Sequence, residues 1–160
     1  MDVRLLGSVD AELNRQPLVL GGPKQRAVLS LLALNANATV SVDALVEGLW
    51  GEDHPASAAK NVQLYVSQIR KLLGANGGPE IVTHGRGYEL RIDRESVDAL
   101  RFERLVGEAS RGGAGNGGGE AAREALGLWR GAPFADLAGE PFADIEARRR
   151  RSSTCWRSRW

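Results

Sequence analysis

Few residues of this 160-residue chain are suited to covalent or metal chemistry. Its two histidines, His54 and His84, have no cysteine or further histidine near them, so no ligand set for a metal can be drawn around either. Cys155 is the sole cysteine; it can form no intrachain disulfide and cannot hold zinc alone. The run "GAGNGG" (Gly113–Gly118) matches the dinucleotide pattern G-x-G-x-x-G. It comes after a polar helical pattern rather than a strand, and so lacks the context in which a helix N-terminus receives a pyrophosphate. "GGPKQR" (Gly21–Arg26) has glycine and lysine but not the spacing of a phosphate-cradling loop. No feature supports an enzyme, a cofactor or a metal centre.

A different constellation is ordered. After Pro55 comes "HPASAAKNVQLYVSQIRKLLGANGG", where Val62, Val66, Ile69 and Leu73 fall on one side of a helical wheel. Lys60, Gln63, Ser67, Gln68 and Lys71 cover the other side, with Leu64 among them, while Arg70 lies toward the buried side. These are the amides, amines and hydroxyls that read base edges and phosphates in a major groove. A solvated helix face uses the same residue types, so the stripe alone does not choose. The next segment adds weight: "IVTHGRGYELR" (Ile81–Arg91) consists of two alternating runs around Gly-Arg-Gly, which predicts a hairpin. Thr83, His84 and Arg86 lie at its tip, and an arginine there can reach a phosphate or a narrow minor groove. From Ala56 to Arg91 there are five Lys/Arg against two acids, whereas Met1–Pro55 holds four Lys/Arg against seven acids. The near-neutral total of +1 hides this asymmetry.

The elements that must position this face are also legible. "VRLLGSV" and "QPLVL" read as short strands. "GGPKQRAVLSLLALNAN" switches to helical period, with Pro23 suited to the first turn. Ser41 suits the N-cap of "VDALVEGLWG", which Gly51 ends. The order strands, two helices, polar-faced helix and hairpin is that of a winged helix, an α+β fold. Beyond it, "SVDALRFERLVGEASR" is helical, "GGAGNGGG" (residues 112–119) reads as a flexible linker, and "EAAREALGLWRG" and "FADIEARRR" are helical around the loop "APFADLAGEP". Trp50, Trp129, Tyr65 and Tyr88 are read as packing residues.

The blocks "GGPKQR", "LVEGLWG", "GRGYEL" and "ALGLWRG" together resemble the SARP family, the actinobacterial antibiotic regulatory proteins, over nearly all of residues 3–149. The resemblance implies an OmpR-type winged helix over residues 1–93, with an N-terminal antiparallel sheet of four-stranded type. It implies a partial, all-helical bacterial transcriptional activator domain over 96–149. Carried over by position, the recognition helix is Ala58–Leu73 with Lys60, Asn61, Gln63, Ser67, Gln68 and Lys71 as DNA contacts, and the wing supplies Thr83, His84 and Arg86. Arg26 is a further candidate for a phosphate. The expected partners are double-stranded promoter DNA carrying direct repeats, bound singly or in tandem, and RNA polymerase. An alternative is a protein-interaction module that keeps the fold but presents the same face to a protein.

The apolar share of 42% supports a core, and no run approaches the roughly 18 apolar residues of a membrane span. The N-terminus lacks the apolar core of a secretion signal, so the expectation is a cytoplasmic protein with no membrane partner. Residues 150–160, "RRSSTCWRSRW", depart from the family pattern, which would continue as an amphipathic helix. A shifted reading frame or a truncated activator domain is expected there, and sequencing the gene in independent isolates tests this.

Overall fold

The computed structural model describes residues 1–112 and 116–152. The chain opens with β1 (Asp2–Arg4), β2 (Asp10–Leu13) and β3 (Gln16–Pro17), an antiparallel sheet in that order. Asn14 and Arg15 both have positive φ between the paired Leu13 and Gln16, the requirement of a type I′ hairpin. The described N-terminal sheet thus has three strands rather than the four implied by the resemblance. "QPLVL" is strand only at its first two residues, the Leu18 N–H adds a bond to the Ala11 carbonyl at 2.9 Å, and Val19 is exposed.

Three helices come next. α1 (Pro23–Leu34) starts with its proline in the first turn, where no N–H is needed. A two-residue strand, β4 (Val40–Ser41), leads directly into α2 (Val42–Trp50). There the Ser41 hydroxyl accepts the Ala44 N–H at 3.0 Å, and Gly51 ends the helix at a φ of +66°. α3 (Ala58–Ala75) buries Ala58, Val62, Val66, Ile69 and Leu73, the side the wheel assigned to the core. β5 (Glu80–His84) and β6 (Gly87–Arg91) form the expected hairpin, and β4 pairs with the free edge of β6. Buried side chains from both sheets and all three helices meet in one core, Leu5, Leu29, Leu45, Leu49, Ile69 and Leu90 among them.

The remaining chain packs on this unit rather than hanging from it. α4 (Asp98–Gly112) begins beside β1, where Val97 bridges Val3. It pairs with α5 (Asn116–Gly127), which begins inside the glycine run. A flexible linker is therefore the wrong reading for Asn116–Gly119. Gly112 lies so close to Gly118 that an added Cβ would sit 3.0 Å from its backbone, a contact open only to glycines. Residues 113–115, which begin the dinucleotide-like pattern, lie outside the described residues, as do residues 153–160 of the arginine-rich tail. The loop after α5 contains a short 3-10 turn at Ala135–Leu137 and leads to α6 (Pro141–Ser152), which packs on α1 and α2. Phe134, Leu137 and Phe142 are buried, and the Phe134 and Phe142 rings meet edge-to-face at 5.3 Å.

Candidate nucleic-acid interface

Burying the Val62–Val66–Ile69–Leu73 side of α3 forces the residues between them outward. Lys60, Gln63, Ser67, Gln68 and Lys71 are all exposed, and Leu64 in their midst is 52% exposed. None of the five polar side chains has a hydrogen-bond or ion-pair partner among the described residues. Lys60, Leu64, Ser67 and Lys71 succeed each other at helical spacing along one stripe. Asn61 is half-buried at its edge, its amide 3.4 Å from the Ser57 hydroxyl. At 1.5 Å per residue the helix spans about 27 Å, ample for crossing a major groove.

The wing beside α3 is anchored through its backbone. The Val42 N–H at the start of α2 donates to the Arg86 carbonyl at 2.8 Å. Only Gly85 of the two turn residues has positive φ, the type II′ pattern. Gly87 answers to a different constraint: a Cβ there would stand 2.7 Å from Thr39 Cγ2 and 2.8 Å from the Val40 carbonyl. It is buried against β4, so the close approach it permits is internal and not toward a duplex. The Arg86 side chain is exposed and has no partner among the described residues.

Other sequence-derived candidates have partners within the protein. Thr83 Oγ1 accepts from Arg70 Nη2 at 2.6 Å, and His84 Nε2 lies 2.6 Å from Glu89 Oε2. Arg26, expected as a phosphate contact, instead donates to Asp136 Oδ2 at 2.5 Å, and that expectation is corrected. Its neighbour Lys24 ion-pairs with Glu140 at 2.7 Å, donates to the Leu49 carbonyl and stands 5.2 Å over the Trp50 ring. The "GGPKQR" block therefore receives the loop before α6. Sequence reasoning could not find Glu140 and Asp136 as partners, because they lie more than a hundred residues away.

That inner junction is densely bonded. Asp136 Oδ1 accepts the Val9 N–H at 2.7 Å, Arg130 Nη1 donates to Asp10 at 2.8 Å, and the Arg130 and Phe134 N–H groups donate to the Leu6 and Leu5 carbonyls. Asp98, 8% exposed, accepts the Leu5 and Leu6 N–H groups at 2.7 and 3.0 Å. Burial pushes its pKa above the usual carboxylate value, and the backbone donors only partly offset that. No group of three or more potential metal ligands occurs among the described residues, and none of their helices is long and apolar enough to cross a membrane.

A three-helix unit whose third helix presents a free polar stripe beside an anchored β-hairpin defines a winged-helix protein. The transcriptional regulatory protein C-terminal model matches residues 15–90, and the bacterial transcriptional activator domain model matches 97–155. The chain thus carries an OmpR-type transcriptional regulatory domain followed by a bacterial transcriptional activator domain, the domain pair of the SARP-family regulators to which it is similar. It is 39% identical over 153 residues to the transcriptional regulatory protein EmbR of Mycobacterium tuberculosis, covering 89% of this chain and 39% of EmbR. The regulatory protein DnrI of Streptomyces peucetius is 37% identical over 148 residues, covering 86% of this chain and 54% of DnrI. The solved structure of M. tuberculosis EmbR with a low-affinity phosphopeptide superposes with a TM-score of 0.84 at 33% identity, over 96% of this chain and 42% of that one. The chain thus spans from about two fifths to just over half the length of these relatives.

Proposed function

We propose that this protein binds double-stranded promoter DNA, with α3 in the major groove and the wing on the adjoining backbone. The observation that carries this reading is the unpartnered stripe Lys60–Gln63–Ser67–Gln68–Lys71 beside the unpartnered Arg86. Cations left unpaired on one face are the ones a polyanion can neutralise. Gln63 and Gln68 suit adenine edges, Lys60 and Lys71 suit phosphates or guanine, and Leu64 suits a thymine methyl. Asn61, Thr83 and His84 lie at the margin, where a duplex would have to compete with Ser57, Arg70 and Glu89. A single winged helix covers one half-site, so direct repeats would be bound by two copies in tandem.

The domain limits proposed are 1–93 for the DNA-binding unit and 96–149 for the activator segment. A second surface supports contact with a protein. Asp43, Glu47, Glu52 and Asp53 are exposed along α2 and the α2–α3 connection, around a hollow lined by Val46, His54 and Pro55. This acidic patch would repel DNA and suits a basic protein surface such as one on RNA polymerase. A protein acting on promoters in this way works in the cytoplasm.

The test is competition in a gel-shift with duplexes from the gene's own neighbourhood. A duplex carrying two correctly spaced repeats should outcompete its scrambled version by about a thousandfold or more. Equal competition defeats the specific-binding reading. Binding to polymerase that ignores both salt and DNA favours the protein-interaction alternative.

A further inference from the structure

Arg70 stands between α3 and the wing and touches both strands of the hairpin. Its Nε donates to the Ile81 carbonyl at 2.9 Å, and its Nη2 donates to Thr83 Oγ1 at 2.6 Å, so two bonds of the fork grip β5. The guanidinium carbon lies 5.5 Å from the centroid of the Tyr88 ring on β6. Thr83 and Tyr88 are directly opposite in the hairpin register, so one cation spans both strands at the same level. The hydrogen bonds fix the plane of the guanidinium, and the ring fixes its height above the sheet. Among the described residues no carboxylate pairs with Arg70, so an ion pair elsewhere does not draw it from this position. The other side of the hairpin is tied to α2 by the Arg86 carbonyl and to β4 through Gly87. The Asn37 N–H donates to the Leu90 carbonyl at the far end of β6, and among the described residues Arg70 supplies the side-chain hydrogen bonds that tie the hairpin to α3.

We infer that Arg70 is a positioning residue of the DNA interface. It sets the wing against α3 so that Arg86 and Lys71 meet one duplex together. This role rests on the proposed DNA binding and adds to it a residue that acts without touching DNA. Thr83 takes part as the acceptor of Arg70, which assigns its hydroxyl a role inside the protein. A lysine at position 70 would keep the charge but could not make the two bonds and the ring contact at once.

The test is a mutant cycle read as duplex affinity and its salt dependence, using the full chain. R70A and R70K should each weaken binding about tenfold, and R86A should cost about tenfold in the wild-type background but under about threefold in R70A. K71A, which lies on α3 itself and does not depend on the placement of the wing, should keep its full effect in R70A. T83V should weaken binding and T83S should not, and T83V should add nothing to R70A. These two variants also carry the test if R70A folds poorly. In the free protein, hydrogen exchange across residues 81–91 should accelerate in R70A while exchange in α1 stays unchanged. If R70K binds like wild type, or if R70A and R86A effects add in full, Arg70 is itself a phosphate contact and the inference fails. Unchanged exchange in the hairpin overturns it as well. If the wild-type protein prefers no duplex, the DNA-binding reading fails first and takes the inference with it; wild-type binding with additive effects overturns the inference alone.

Discussion

The inner junction and the outer face of this winged helix use the same kinds of side chain in opposite ways. At the junction, Lys24 pairs with Glu140, Arg26 pairs with Asp136, and Arg130 shares Asp10 with Arg4, while Asp98 and Asp136 also accept backbone N–H groups. Outside, Lys60, Lys71 and Arg86 have no partner among the described residues, and the glutamines between them are equally free. Satisfied charges hold structure together, because removing one partner strands the other. Unsatisfied charges contribute little to stability and remain available to a ligand. Partner geometry, not residue type, thus separates the structural cations from the candidate functional ones.

The sharpest way to break the junction is through its apolar centre. Phe134 is 1% exposed, and F134A should destabilise the protein by about 3–5 kcal/mol, visible as a large fall in melting temperature. Next comes D136A, which leaves both the Val9 N–H and Arg26 without their acceptor and should cost about 2 kcal/mol by chemical denaturation. If D136A is neutral, the ionic contacts of the junction are ornamental and only its aromatic packing matters. On the outer face, K71A and R86A should each change folding stability by no more than about 0.5 kcal/mol while weakening DNA binding broadly across sequences. A substantial loss of stability in either would erase the contrast between the two regions.

The smallest expected effect concerns Asp98. Its folded pKa is raised by burial, so in the window between the usual aspartate value and the folded one the native state holds more protons than the unfolded chain. Stability from this group is therefore greatest at the acid end of that window and declines as pH rises through the folded pKa. Unfolding midpoints measured across mildly acidic pH should show that slope in the wild type and lose it in D98N. A wild-type slope of opposite sign would mean that the Leu5 and Leu6 N–H groups outweigh desolvation.

Much of the outer face was legible in the sequence because its causes are local. The 3.6-residue period fixed which side of α3 is buried, Ser41 and Gly51 carry the chemistry of the α2 caps, and Gly-Arg-Gly between alternating runs is a hairpin by composition. The features that escaped depend on contacts between distant residues. Gly87 looks like a turn glycine until β4 is seen against it, and Arg26 looks like a free cation until Asp136 arrives from the loop before α6. Asn116–Gly119 form the first turn of α5 despite poor intrinsic propensity, because α5 packs along α4 and tertiary contact overrides that preference. The family resemblance supplied what local patterns could not, namely that the helices after residue 96 are similar to a bacterial transcriptional activator domain.

The central claim is that the free cations of α3 and the wing make the DNA contacts. The direct measurement is the slope of log affinity against log salt for the wild type and for the triple variant K60A/K71A/R86A. At roughly 0.9 per neutralised phosphate, the wild type should show a slope of about −3 or steeper, and the triple variant should lose most of it while melting at an unchanged temperature. A triple variant that binds with the wild-type slope would place the DNA-binding charge elsewhere in the chain and contradict the account.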